Sequence, residues 1–203
     1  MAIAKEELEV KFYLSDRQAL EKRLREMGAH LAQGRLHEIN LRFDTPNGEL
    51  SRTAQVLRLR KDAAVRLTYK GAARERNGVQ QRTEIELMVD DFESCRLLLE
   101  ALGYQVCLIY EKFRTTYCLD GVQVTLDELP YGDFVEVEGP DANSIRLVAE
   151  RLGLCWQNRI LMSYAALFER VRVSLNLPFR DLTFENFRGM NITANVLGVT
   201  AAD

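Results

Sequence analysis

Charged and apolar side chains alternate along residues 5–14, KEELEVKFYL, with the period of a half-buried strand. The spacing then turns helical from Ser15, where Ser15 and Gln18 fit a capping box, Leu20, Leu24 and Met27 form a stripe, and Gly28 closes the segment. The same succession recurs further on. Residues 81–89, QRTEIELMV, alternate; Asp90 and Glu93 open a helix with Leu97, Leu98 and Leu102 as its apolar side, and Gly103 ends it. Glu7-Leu8-Glu9 aligns with Glu84-Ile85-Glu86, and Gly28 with Gly103. Three strands follow in each half, at 36–44, 55–62 and 64–71 and then at 108–119, 122–129 and 133–139. The chain thus reads as two β-α-β-β-β units, eight strands in all, with helices near 141–153 and 159–172 after them. Short antiparallel strands joined by hairpin-length links favour a closed barrel, which leaves no exposed edge. The expected class is α+β.

Side chains two apart share a strand face. One face collects Glu7, Glu9, Lys11, Arg58, Arg60, Arg66, Thr68, Lys70, Arg82, Glu84, Glu86, Lys112, Arg114, Asp127, Glu136 and Glu138, and the other collects Leu, Val, Ile, Phe and Tyr. The helical stripes also need burial, and they can pack on that apolar face only from outside. This turns the charged face inward, into a lumen. So many charges in a dry core would be ruinous, whereas a wet tunnel that binds a polyanion and metal ions resolves the cost. Arg58, Arg60, Arg66 and Lys70 belong to the first unit, while Asp127, Glu136 and Glu138 hold the equivalent strands of the second. A cationic wall facing an acidic one suits phosphate oxygens on one side and Mg²⁺ or Mn²⁺ on the other, since oxygen-only ligands point to a hard cation.

Composition narrows the reading. The chain has 203 residues, 47% of them hydrophobic, and a net charge of −3, which argues against a general nucleic-acid binder. No apolar run is long enough for a membrane span, and MAIAKEELEVKF contains no secretory h-region. Cys95, Cys107, Cys118 and Cys155 form no C-x-x-C pair and sit in apolar runs, so buried free thiols in a reducing cytoplasm are expected. With only two histidines, a multi-histidine metal site is excluded.

In order along the chain, Glu7-x-Glu9-x-Lys11, Phe43-Asp44-Thr45-Pro46, Leu57-Arg58-Leu59-Arg60, Leu67-Thr68-Tyr69-Lys70-Gly71 and Arg82-x-Glu84-x-Glu86 form a set. Glu111-Lys112-x-Arg114, Thr125-Leu126-Asp127, Glu136-x-Glu138 and Ser163-Tyr164 extend it. The set resembles the CYTH family, also called triphosphate tunnel metalloenzymes, over about residues 3–172. The chain departs from the family pattern in two ways: Met162 stands where Lys often precedes Ser-Tyr, and Asn40 and Arg42 stand where many cyclase-like members have an acidic residue and Tyr. The resemblance implies an eight-stranded antiparallel barrel, a small triphosphate-bearing substrate and one or two divalent metals. Members include inorganic tripolyphosphatases, thiamine triphosphatases and class IV adenylate cyclases. Glu7, Glu9, Asp127, Glu136 and Glu138 are the metal candidates. Lys11, Arg58, Arg60, Lys70, Arg82, Lys112 and Arg114 are expected to hold phosphate, arginines being suited to paired contacts. Lys11, Glu84 and Glu86 are the catalytic candidates, with Glu84 and Glu86 orienting arginines or one of them positioning the attacking water. A metal-dependent triphosphatase is the preferred activity, a class IV adenylate cyclase the alternative, and a non-catalytic polyphosphate or nucleotide binder the third. Residues 173–203 lie beyond the resemblance, with an ordered tail, a plug at the tunnel mouth or a partner contact as alternatives to a poorly ordered terminus. The oligomeric state, a homodimer included, stays open.

Overall fold

A computed structural model describes residues 5–203. The first unit runs β1 (Lys5–Leu14), α1 (Arg17–Glu26), β2 (His30–Asp44), one helical turn α2 (Glu49–Arg52), β3 (Val56–Lys61) and β4 (Val65–Lys70). A three-residue strand β5 (Arg74–Arg76) leads to the second unit: β6 (Val79–Val89), α3 (Phe92–Ala101), β7 (Gln105–Leu119), β8 (Val122–Leu129) and β9 (Gly132–Glu138). Helices α4 (Ala142–Arg151), α5 (Tyr164–Ser174) and α6 (Ala194–Leu197) follow. Strand order is β1-β9-β8-β7-β2-β3-β4-β6, closed by the β1–β6 pair, and β5 is a ninth strand hung on β6 alone. The repeat has a geometric meaning. β1 pairs with its counterpart β6 and β2 with its counterpart β7, both antiparallel, so a pseudo-two-fold axis relates the halves of the barrel.

Two apolar layers coat the outside, and a third closes one end of the barrel, where Phe134 shares the inward strand face with Tyr13 and Asp127. Leu20 and Leu24 of α1, with Ile145 and Val148 of α4, bury against Val10, Phe12, Val124, Val135 and Val137. Cys95 and Leu99 of α3 cover Leu41, Phe43 and Leu59. Leu167, Phe168 and Val171 of α5 join Leu182, Phe187 and Leu197 over Leu129, Tyr131 and Phe134. Each such side chain contributes about 1.5–3 kcal/mol when fully buried. Helices α1, α3 and α4 sit on the apolar strand faces, so the charged faces point inward. No helix among the described residues is long and apolar enough to cross a membrane.

Several boundaries differ from the sequence expectation. The N-cap of α1 is Asp16, whose carboxylate accepts from Ala19 N at 2.9 Å, and that of α3 is Asp91, accepting from Ser94 N at 2.7 Å. The α3 stripe is turned: Cys95 and Leu99 are buried, while Leu97, Leu98 and Leu102 are 56%, 59% and 65% exposed. A run of three leucines offers two i, i+4 stripes, and only contact with the β2–β3 wall selects one. β2 begins at His30 rather than at 36, because its polar opening pairs with β7 through two register shifts in solvent, where no alternation is needed. α5 begins at Tyr164, after Ser163 caps it, and residues 159–163 are extended or bent rather than helical. All four thiols are free, but Cys118 and Cys155 are exposed and Cys107 is half-buried, so only Cys95 meets the expectation of burial.

Residues after α5 lie across the barrel. Leu182 N donates to Ile109 O and Leu182 O accepts from Glu111 N, each at 2.9 Å, adding a short parallel contact to β7. Farther along, Ala202 N donates to Tyr13 O at 3.0 Å, and the Asp203 carboxylate accepts from Ser15 N and Asp16 N at 2.8 and 2.7 Å.

Candidate active site

Alternation along eight strands produces a lumen with a cavity of about 460 Å³. Nine cationic side chains line it (Lys5, Lys11, Arg42, Arg58, Arg60, Lys70, Arg82, Lys112 and Arg114) against six carboxylates (Glu7, Glu9, Glu84, Glu86, Glu136 and Glu138). Gln80, Gln123, Thr125, Tyr110, Ser163 and Tyr164 complete the polar surface, the last two bringing the N-terminus of α5 to the wall. Of the fourteen sequence candidates, Asp127 alone does not line the cavity. Arg66 also stays out of it, held by both oxygens of Asp62 at 2.7 and 2.9 Å.

β9 stands opposite β3 in the ring of eight, so Glu136 and Glu138 do face the arginines of β3 across the lumen. The acids are nevertheless not left bare. Lys70 Nζ donates to both oxygens of Glu7 at 2.6 and 2.8 Å, and Arg82 bridges Glu7 at 2.7 Å and Glu9 at 3.0 Å. Burial pushes the Glu7 carboxyl up, but Lys70 and Arg82 outweigh it and hold it at about 2. Lys11 reaches Glu136 at 2.8 Å and Glu9 at 3.9 Å. Glu136 is likewise well below the carboxylate range: burial opposes this, and Lys11, Arg114 and Lys112 override it. Glu84 behaves oppositely. Burial raises it, and neighbouring Glu7 and Glu86 add to the rise beyond what Lys70 at 3.4 Å takes back.

Two acids organise the cations from behind. Asp127 is fully buried and accepts from Arg114 Nε and Nη2 at 2.7 and 2.6 Å, from Lys112 at 3.0 Å and from the Tyr164 hydroxyl at 2.9 Å. With both oxygens taken, its place in the structure is that of a scaffold for Lys112 and Arg114 rather than a lumen ligand. Glu38 on β2, absent from the sequence candidates, lies among Arg60 at 3.5 Å, Lys112 at 3.6 Å and Arg114 at 3.8 Å. Burial raises its carboxyl, yet Lys112, Arg114 and Arg60 bring it down to about 2. The signal was present: His37-Glu38-Ile39-Asn40-Leu41-Arg42-Phe43 alternates as the other strands do. Tyr164 carries Lys11 over its ring at 4.6 Å and Lys112 at 5.3 Å, which fixes both ammonium groups near the α5 N-terminus.

Glu9 and Glu138 are register partners on β1 and β9, like charges set side by side. Among the described residues no three acidic, histidine or cysteine side chains are gathered as a ready metal cluster, because Glu7, Glu9 and Glu136 are engaged by cations. The donor set is all oxygen and comes from adjacent strands, which fits a hard divalent cation, with Glu7, Glu9, Glu136 and Glu138 as the residues to hold it.

A closed antiparallel tunnel with a charged lumen and helices outside defines a class, and comparison with known proteins identifies it. The CYTH domain model matches residues 5–150, and the chain belongs to the CYTH family. A Methanocaldococcus jannaschii protein provisionally named an adenylate cyclase is 25% identical over 134 residues, 65% of this chain and 75% of its own length. A Vibrio parahaemolyticus structure with the same provisional name superposes with a TM-score of 0.72 at 20% identity, covering 82% of this chain and 99% of that one. The PH1012 protein of Pyrococcus horikoshii gives 0.67 at 26% identity over 78% and 96%. HpAC1 of Hippeastrum, described as a provisional adenylyl cyclase with a dominant triphosphatase activity, gives 0.62 at 20% over 80% and 95%. Adenylate cyclase and triphosphatase are thus both activities attributed to proteins that share this fold.

Proposed function

We propose that the chain is a divalent-metal-dependent triphosphatase that hydrolyses inorganic tripolyphosphate or an organic triphosphate inside the barrel. The observation that carries this reading is the excess of cations over carboxylates around one cavity of about 460 Å³. Such a lumen favours a compact polyanion. Arg58, Arg60, Lys70, Arg82, Lys112 and Arg114 neutralise phosphoryl oxygens, and Asp127 and Glu38 hold two or three of these cations in place from behind. A metal bound at Glu7, Glu9, Glu136 and Glu138 supplies Lewis-acid polarisation of a phosphoryl oxygen. Glu84 is the residue suited to take a proton from the attacking water, since burial raises its basicity and it faces the cavity. Positioning and charge neutralisation then account for most of the rate, as phosphoryl transfer asks little covalent chemistry of a protein.

The cyclase reading draws support from the name of the Methanocaldococcus relative. The product decides between them. Purified protein is given tripolyphosphate, thiamine triphosphate and ATP with Mg²⁺ or Mn²⁺, and orthophosphate, pyrophosphate and cyclic AMP are measured. Orthophosphate release that EDTA abolishes and fresh metal restores is the expected result. Cyclic AMP with pyrophosphate and little orthophosphate overturns it, and full activity in EDTA removes the metal.

A further inference from the structure

Every buried side-chain nitrogen or oxygen without a hydrogen-bond partner among the described residues lies on two adjacent strands, β2 and β3. They are Oε2 of Glu38, both amide atoms of Asn40, and the Nε atoms of Arg42, Arg58 and Arg60. Asn40 is fully buried, and it pairs in register with Arg60 on one side and Tyr110 on the other. It lies between Glu38 and Arg42 on the inward face of β2, while Leu41 and Phe43 face α3. Arg42 pairs in register with Arg58, so two guanidiniums stand directly opposite each other, an arrangement that destabilises a sheet unless an anion lies between them. Neither has a close carboxylate: Arg42 has no ion pair among the described residues, and Arg58 donates to the Tyr110 hydroxyl at 3.5 Å and the Thr68 hydroxyl at 3.3 Å, with Glu86 at 4.0 Å its nearest carboxylate. Arg60 touches acids only at 3.4 Å and beyond. A carboxylate at position 40 would neutralise this corner from within. The amide there cannot.

We propose that Asn40 and Arg42 convert this corner into an anion subsite for one phosphoryl group, with Arg42 a direct contact and Asn40 a positioning residue that adds no negative charge against the β3 guanidiniums. It rests on the reading above that the lumen binds a triphosphate. Several idle N–H donors on neighbouring strands match a group with three oxygens, and charge-assisted bonds to it replace the missing internal partners. The free protein therefore carries repulsion that the ligand relieves, so binding and stability trade against each other at these positions.

The trade-off sets the test. Asn40→Asp and Arg42→Gln are compared with the wild type for tripolyphosphate affinity by calorimetry in EDTA, and for melting temperature without ligand. Asn40→Asp should melt higher than the wild type and bind at least tenfold more weakly. Arg42→Gln should melt no lower and also bind at least tenfold more weakly; a merely structural arginine would instead lower the melting temperature and spare affinity. If the wild type binds tripolyphosphate and both variants bind as tightly, the subsite falls while the triphosphatase reading stands. If the wild type binds none in EDTA and none when the titration is repeated with Mg²⁺, both fall; if it binds only with Mg²⁺, the variants are compared in Mg²⁺ by the same criteria. Should Asn40→Asp fail to fold, the Arg42→Gln comparison decides alone.

Discussion

Glu38 shows how much a single side chain can hold together. It is a buried carboxylate among Arg60, Lys112 and Arg114, and losing its charge leaves cations facing one another in a restricted lumen. Removing one partner of a buried ionic cluster costs roughly 3–5 kcal/mol, so urea unfolding of Glu38→Gln should show a loss of that order. Glu84→Gln should do the reverse and stabilise the free protein at neutral pH, since its carboxyl is raised by burial and by Glu7. The acid limb of the stability curve follows from the depressed groups. Glu7 and Glu38 sit near 2 in the folded state, against 4.5 as the ordinary value. Their stabilisation is complete above the unfolded value and is lost as pH falls from about 4.5 toward 2. An unchanged melting temperature between pH 5 and pH 2.5 would contradict these pairings. At this level the sequence announced residue types well, because alternation sorts charged from apolar positions. It could not say which charge meets which, since the Lys70–Glu7 and Arg114–Asp127 contacts join strands whose register no local pattern encodes.

The strands carry the inside-out arrangement. Leu59 is fully buried beneath α3, while its neighbours Arg58 and Arg60 point into the cavity. Arg60→Met should therefore keep the native circular dichroism spectrum and weaken tripolyphosphate binding, whereas Leu59→Asp buries an unpaired charge and should unfold the protein. A folded Leu59→Asp variant would mean that the faces are reversed. The eight barrel strands and the first four long helices were legible because their periods are unambiguous. Failures cluster where the period carries no information. β5 is three exposed residues, and α3 contains three consecutive leucines that leave its rotation open. The exposed leucines of α3, with Leu87 of β6 at 42%, show that this side of the barrel has the thinnest cover.

The segment after α5 closes one end of the barrel rather than trailing from it. Leu182, Phe187 and Leu197 are buried against Leu129, Tyr131 and Phe134. Deleting residues 176–203 should lower the melting temperature by more than about 10 °C, given about 1.5–3 kcal/mol for each buried apolar side chain and about 2–4 °C per kcal/mol at this size. A truncated protein that melts with the full chain would show the segment to be dispensable. The sequence left this open among an ordered tail, a plug, a partner contact and a poorly ordered terminus, since the segment's apolar residues follow neither period. The position of β1 in the ring has a kinetic meaning of its own. β1, the first of the barrel's strands in chain order, pairs with β6 and with β9, so the barrel cannot shut until residue 138 is available. Such distant partners make closure a late and slow event. Glu7 and Glu9 ride on that strand, so the acidic wall comes into being at closure and not before. A ligand that needs the wall has nothing to grip on the way in. Tripolyphosphate with Mg²⁺ should slow unfolding in proportion to its binding and leave the refolding rate almost unchanged, as expected for contacts missing from the transition state.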